Sequence, residues 1–337
     1  MSATSPLTTP VLLLVFNRVD TTARVLAALR RVCPLRLYVA ADGPRTSHPD
    51  DQRRCAAVRA LITQGIDWPC ELHTQFRDHN LNCGLGPATA INWFFEHEPE
   101  GIILEDDCVP SDSFFRFCAE MLARYRHDER VMHVGGNNFL RSARGPQPPG
   151  GDSYYFSSQV NSWGWATWRR AWQLYDFHLA AYPRLKAAGA LQNLYADAWE
   201  TRYRLSKIES VLRMPQPAHV WDYQWHFAVA AHSALCVVPA VNLVSNIGFG
   251  AGATHTHDGA DALAAVPAAE LTFPLRHPTH VLRDHRRDRQ YFREFFADRV
   301  RTKLRGAWQR FTQAPAAPPA PEIRPSSPVS ASIPHTA

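Results

Sequence analysis

Gly101-Ile102-Ile103-Leu104-Glu105-Asp106-Asp107-Cys108 is a short apolar run that ends on three consecutive carboxylates. A brief, unbroken apolar run before a polar break is how a strand buried on both faces reads in a parallel sheet. Downstream, Asp112–Tyr125 reads as a helix and Val131–Val134 as a strand. Upstream the same alternation runs back to the start of the chain. Val11–Phe16 reads as a strand, followed by a helix over Thr22–Arg31 with caps offered by Asp20 and Thr21, and a strand over Leu35–Ala40. A helix over Gln52–Ile62, a strand over Glu71–Phe76 and a helix over Pro87–Glu96 lead into the strand Gly101–Leu104. Strands alternating with helices of this length form βαβ units. The expected fold is α/β, with a mostly parallel central sheet and helices on both faces.

Ligands of such a sheet bind outside the carboxyl ends of its strands. Glu105-Asp106-Asp107 stands at one such mouth. Adjacent carboxylates repel, and Mg²⁺ or Mn²⁺ bridging them to substrate phosphates relieves the repulsion. The plainer reading is that Asp106 and Asp107 only begin a loop. Asp42, in Ala41-Asp42-Gly43-Pro44-Arg45, follows a second strand, where Asp-Gly is also a favoured turn pair. Arg18 follows the first strand and is either a phosphate grip or an ordinary exposed arginine. Polar groups at three successive mouths outline a nucleotide-diphosphate site. Gly84-Leu85-Gly86 lacks GxGxxG spacing and there is no P-loop, so a dinucleotide-binding Rossmann reading is disfavoured; these glycines read as a turn before the helix at Pro87.

Composition narrows the class. The 337 residues are 45% hydrophobic and 20% charged, which excludes global disorder and fibrous structure. Seven cysteines without CxxC spacing read as buried thiols, and the start of the chain lacks a basic, secretory-type segment, so a cytosolic protein is expected. Residues 154–232 hold seven of the ten tryptophans among helical-looking stretches, a density that suits a core or a sugar-stacking surface. Within them, Trp221-Asp222 offers either an N-cap or a general base raised by apolar neighbours. A strand-like Cys236–Leu243 leads to a glycine-rich loop from Asn246 to Gly252, and His255-Thr256-His257 resembles a short metal clip. The formal charge of +5 is concentrated in 276–310, with 11 basic against 4 acidic residues. The plain reading of 283–310 is a packed helix with a solvated basic face; the sharper one is docking on an anionic membrane. Nucleic acid is disfavoured, since no recognised module accompanies the charge. The last 24 residues, with seven prolines, read as a disordered tail over 314–337.

With these residues in place, the chain resembles the GT-A glycosyltransferase superfamily. More narrowly it is similar to bacterial nucleotide-diphospho-sugar transferases of the hemolytic protein HlpA-like group, themselves similar to N-acetylglucosaminyltransferase I-type enzymes. The matching blocks are VFNR (15–18), DGPR (42–45), NLNCGLGPATAINWFFE (80–96), GIILEDDCVPSDSFFRFC (101–118), WGWATWRRAW (163–172), WDYQW (221–225) and NLVSNIGFG with ATHT (242–250, 253–256). The resemblance implies a nucleotide-sugar-binding half over 8–140 and an acceptor-binding half over 150–310. It implies Asp107 as the metal ligand, with His255 a candidate second ligand, and Asp106 at the ribose or a metal-bound water. Glu105 would face the donor sugar, Asp42 the base, and Arg18 the diphosphate, with Arg45 in the same donor site. The Asn246–Gly250 loop, with Gly248 and Gly250, would order over the donor. Asp222 would be the base of an inverting transfer, and Trp163, Trp165 and Trp221 would line the acceptor. The cofactor implied is Mn²⁺ or Mg²⁺. The donor favoured is a UDP-sugar and the acceptor a glycan or lipid-linked glycan, at the cytoplasmic face of the inner membrane. A sugar-1-phosphate nucleotidyltransferase is the rival enzyme, but it opens with a glycine-rich basic loop where this chain has Asn17-Arg18-Val19-Asp20. A non-catalytic glycan-binding relative is the other, needing neither the carboxylate triplet nor Asp222.

Overall fold

The computed structural model describes residues 5–143, 145, 150–195, 197–249 and 266–312. The tail at 314–337, Gly250, and His255 with its neighbours lie outside the described residues. Two compact units are resolved, one reaching to Ala297 and one beginning at Asp298.

In the larger unit the first strand, β1 (Val11–Val15), is buried along its whole length. Val11, Leu13 and Val15 pack into one apolar cluster while Leu12 and Leu14 pack into another. Its side chains alternate between two covered faces, which is why an unbroken apolar run was needed. Helices α1 (Val19–Val32), α2 (Asp51–Gly65) and α4 (Asp112–Tyr125) cover the first face. Helices α3 (Asn82–His97), α5 (Arg169–Trp172) and α8 (Asp222–Ala231) cover the second. Helices α6 (Tyr182–Ala187) and α7 (Ala198–Leu212) build a smaller cluster with α8.

The described residues form an eight-stranded sheet in the order β3-β2-β1-β4-β8-β6-β9-β7. The strands are β2 (Arg36–Ala41), β3 (Glu71–Phe76), β4 (Glu100–Glu105), β6 (Val131–Gly135), β7 (Tyr154–Ser157), β8 (Trp165–Trp168) and β9 (Leu235–Pro239). β1 to β4 are mutually parallel, as is β6 with β9, while β8 and β7 run against their neighbours. The chain winds from β1 outward through β2 to β3 and then crosses to place β4 on the other side of β1. Between β1 and β4 the winding reverses, and the crevice at their carboxyl ends is the topological switch point where open α/β sheets bind ligands. A separate ribbon pairs β5 (Cys108–Pro110) with β10 (Val244–Asn246), setting Asn246 opposite Cys108.

Three expectations need correction. Trp165 and Trp168 lie on β8, an interior strand, not in helices; four residues of alternating bulky and small side chains give too short a pattern to tell a strand from a helical turn. Helix α3 starts at Asn82 rather than Pro87, because the Asn82 side chain accepts from the N–H groups of Gly84 (2.8 Å) and Leu85 (3.1 Å) and so starts the helix a turn early. The expected strand Cys236–Leu243 ends at Pro239 as part of β9, and the next strand, β10, begins only at Val244 and belongs to a different sheet.

The final helix, α9 (His285–Thr312), begins against the β7 edge through buried charge. Asp288 accepts from Ser157 Oγ (2.5 Å) and Ser158 Oγ (2.9 Å) and pairs with Arg283 Nε (2.6 Å). Beside it, fully buried Glu200 accepts from Arg204 Nε (2.8 Å) and Gln159 Nε2 (2.7 Å).

Candidate active site

The segments leaving β1 and β4 line the switch-point crevice. Arg18, one residue before α1, turns its guanidinium to the carboxylates at the end of β4. Its Nη2 donates to Asp106 Oδ1 in a short contact and to Asp107 Oδ2 at 2.9 Å. The backbone N–H of Phe16 adds a second donor to Asp106, at 3.4 Å. Burial opposes the Arg18 cation, but the charges of Asp106 and Asp107 outweigh it and hold its pKa above the ordinary arginine value.

The carboxylates outnumber that cation. Burial, then the charges of Asp107, Asp106 and Asp222, push Glu105 up to about 8, with Arg18 opposing. Burial also raises Asp106, to about 6, against the pull of Arg18. Asp222, first residue of α8, is thus close enough to Glu105 for its charge to act there, although it comes from the other half of the chain. The cap position of α8 is held by Trp221, and Asp222 stands one residue inside the helix. Cys83 lies within range of three of these carboxylates: burial raises its thiol first, the charges of Glu105, Asp222 and Asp42 add to it, and its Sγ donates to the His219 carbonyl (3.0 Å). The sequence reading did not single out Cys83; its place in NLNCGLG, beside two glycines that admit close approach, was the signal. A Cβ on Gly84 would collide with the Ala218 carbonyl, so this glycine lets α3 lie directly against the segment leading to Asp222.

The loop after β10 closes on Asp107. Ile247 N–H donates to the Asp107 carbonyl (2.9 Å), and the Asn246 amide donates to Asp107 Oδ1 (3.4 Å). Asn246 Oδ1 in turn accepts from Gly248 N–H (2.8 Å). A Cβ on Gly248 would overlap the Asp107 carboxylate and press on Arg18, so only glycine fits this approach.

Other expected residues are placed differently. Asp42 accepts from Leu81 N–H (3.0 Å) and Gly43 N–H (2.9 Å), and burial raises its pKa despite these bonds. Arg45 is engaged by buried Asp51 (2.5 and 3.0 Å) over the Phe16 ring, in a bidentate pair that shapes the loop after β2. Trp165, with no exposed surface, stacks between His133 (5.1 Å) and Trp221 (5.7 Å), and Trp221 is itself buried. Their large rings fill the space between β8 and α8, so neither offers a face to a sugar. Trp163 keeps part of its surface and meets Phe139 and Phe249 edge-on (5.1 and 5.6 Å). Beneath them His133 accepts from Trp225 Nε1 (3.2 Å) at Nδ1 and donates from Nε2 to the Asn161 carbonyl (3.1 Å); burial lowers its pKa to about 3 and keeps it neutral.

Asp106 and Asp107 converge on one positively charged nitrogen, Nη2 of Arg18. Two hard carboxylates, completed by water and phosphate oxygens, suit Mg²⁺ or Mn²⁺. Among the described residues no group of three or more His, Cys, Asp and Glu gathers as a ready-made cage.

No family model matches the chain, and no curated protein matches its sequence. Among solved structures it is similar to HddC from Yersinia pseudotuberculosis, at 12% identity and TM-score 0.30 over 52% of this chain and 86% of that one. It is also similar to mouse xyloside xylosyltransferase 1 (12%, TM-score 0.32, 66% and 82%) and to the inositol-1-phosphate CTP transferase of T. maritima (8%, TM-score 0.35, 72% and 90%). At such distances these likenesses leave the chemistry to the residues of the crevice.

Proposed function

We propose that this chain is a metal-dependent, inverting glycosyltransferase of GT-A type. It moves a sugar from a nucleoside-diphosphate sugar, with UDP-sugars the first candidates, to a hydroxyl of a glycan or lipid-linked acceptor. The observation that carries the reading is the meeting of Arg18, Asp106 and Asp107 at the switch point, with the Asp222 charge acting on Glu105.

Asp106 and Asp107 would hold the Mn²⁺ or Mg²⁺, which supplies positive charge for the departing nucleoside diphosphate. Arg18 is the partner for the diphosphate itself, since a guanidinium matches phosphate oxygens in a fork. Glu105 faces the donor sugar, Asp42 the base, and Gly248 lets its loop lie close over the bound diphosphate. Asp222 takes the proton of the acceptor hydroxyl as it attacks the anomeric carbon from the face opposite the leaving group. Half-buried Trp163 is the acceptor platform that remains after Trp165 and Trp221 are assigned to the core. The enzyme works at a cytoplasmic membrane face, where 283–310 would supply basic contact; among the described residues no helix is long and apolar enough to cross a membrane.

The test is a thermal-shift panel of nucleoside-diphosphate sugars with Mn²⁺, Mg²⁺ or EDTA, since a ligand of the folded state raises its stability. A metal-dependent shift for one nucleotide, abolished in Asp107→Asn, is expected. Asp222→Asn is expected to keep that shift and lose transfer by about 10²–10⁴-fold. Unchanged transfer in Asp222→Asn would overturn its role as base, and no shift with any donor would count against the donor site.

A further inference from the structure

The first turns of α9 sort their arginines into two sets. Arg283, just before the helix, pairs with Asp288, and Arg287 pairs with Asp284 (3.1 Å) while lying over the Tyr155 ring (4.5 Å). Arg286, Arg289 and Arg293 are exposed and meet no carboxylate among the described residues. Their spacing of three and four positions puts them on one helix face, where like charges repel. They line a groove of about 550 Å³ with His285, Gln290 and Glu294. The carboxylate in that lining is already engaged: Glu294 accepts from the backbone N–H of Arg141 (2.9 Å) and from Gln290 Nε2 (2.9 Å). Three guanidinium groups are thus gathered along this groove with no carboxylate paired to them among the described residues.

We propose that this groove is a binding site for a phosphate or pyrophosphate group, separate from the crevice at β1 and β4. Guanidinium forks match phosphate oxygens in paired hydrogen bonds, which lysine does not do, and all three cations here are arginines. Among the described lining residues none is Phe, Tyr or Trp, so the groove lacks the large rings on which nucleic-acid bases stack best. The helix begins against β7, four strand positions from β4, roughly 19 Å at about 4.8 Å per strand. Phosphate in this groove is therefore not the diphosphate of a donor in the crevice. The phosphate comes either from a soluble phosphorylated molecule or from an anionic lipid headgroup.

The experiment compares the full chain with Arg286→Gln/Arg289→Gln/Arg293→Gln by calorimetric titration with inorganic pyrophosphate in EDTA, repeated with saturating UDP and Mg²⁺ in place of EDTA. Flotation with phosphatidylglycerol and phosphatidylcholine vesicles forms the second arm. The expected result is pyrophosphate binding that survives UDP and weakens at least about tenfold in the triple variant. Capture by phosphatidylglycerol alone, lost in the variant, would support the site with a lipid as its source. An unchanged melting temperature in the variant excludes misfolding as the cause. Binding that the variant retains in both arms, or no binding by the wild type in either, overturns the proposal. Competition by UDP for all the pyrophosphate bound would do the same, while leaving the reading of the crevice intact.

Discussion

Under the start of α9, Arg283 faces Asp288 and Arg204 faces Glu200, so two cations meet two carboxylates. At the switch point Glu105, Asp106, Asp107 and Asp222 act on one another around the single guanidinium of Arg18. Both groups are held by packed elements, and both remove charge from water. The first is balanced and supported by Ser157, Ser158 and Gln159, which is what a structural ion pair needs. In the second, burial first and neighbouring carboxylates after it raise Glu105 and Asp106, a cost that folding alone gives no reason to keep. The contrast separates charge that holds the protein together from charge that awaits a ligand.

Removing one side of the balanced group has the largest effect. Asp288→Ala removes the buried member of the pair, leaves half-buried Arg283 without its carboxylate, and is expected to cost about 3–5 kcal/mol, measured by urea denaturation. A loss below about 1 kcal/mol would mean the pair behaves as a surface salt bridge. At the switch point the corresponding change is smaller and reversible by a ligand. Arg18→Gln is expected to cost about 2 kcal/mol in EDTA, and Mn²⁺ is expected to raise its melting temperature more than that of the wild type. An equal Mn²⁺ shift in both proteins would show that Arg18 does not balance Asp106 and Asp107.

The smallest effect is the pH dependence, and its sign differs between groups. Glu105 titrates near 8 in the folded protein against 4.5 for an ordinary glutamate, so between these values the folded state holds the extra proton. Stability therefore rises as pH falls from about 8 through this window, with Asp106 adding the same trend below about 6. His133 works in the opposite direction: lowered to about 3 from 6.5, it leaves the unfolded chain with more protons and costs stability as pH falls below 6.5. The metal-free melting temperature is expected to rise between pH 8 and 6.5, and Glu105→Gln is expected to flatten that rise. A rise that persists in Glu105→Gln would place its origin elsewhere.

How much of this was legible depended on sequence distance. β1, β2 and β4 announce themselves because strands buried on both faces need continuous apolar runs, and the residues just beyond them must lie at one edge of the sheet. Arg18, Asp106 and Asp107 were found for that reason. Asn246 approaches Asp107 from 139 positions away, through pairing between three-residue strands that have no periodicity to read. The burial of Trp165 was hidden by the same shortness, since WATW as an interior strand and as an aromatic surface turn have the same composition. The pairing of Arg45 with Asp51 was not legible, because Asp51 looked like an ordinary residue at a helix start.

Trp165 and Trp172 stand 6.0 Å apart between ring centres in the core beside β8, and each lies 5.2–6.3 Å from both Trp221 and Trp225. Indoles at such separations couple as chromophores, and excitation absorbed by one is shared among the others before emission. Trp221 is also the residue before Asp222. The molecule therefore carries an internal optical gauge whose near-ultraviolet circular dichroism and emission colour report the setting of the α8 start, without any label being attached.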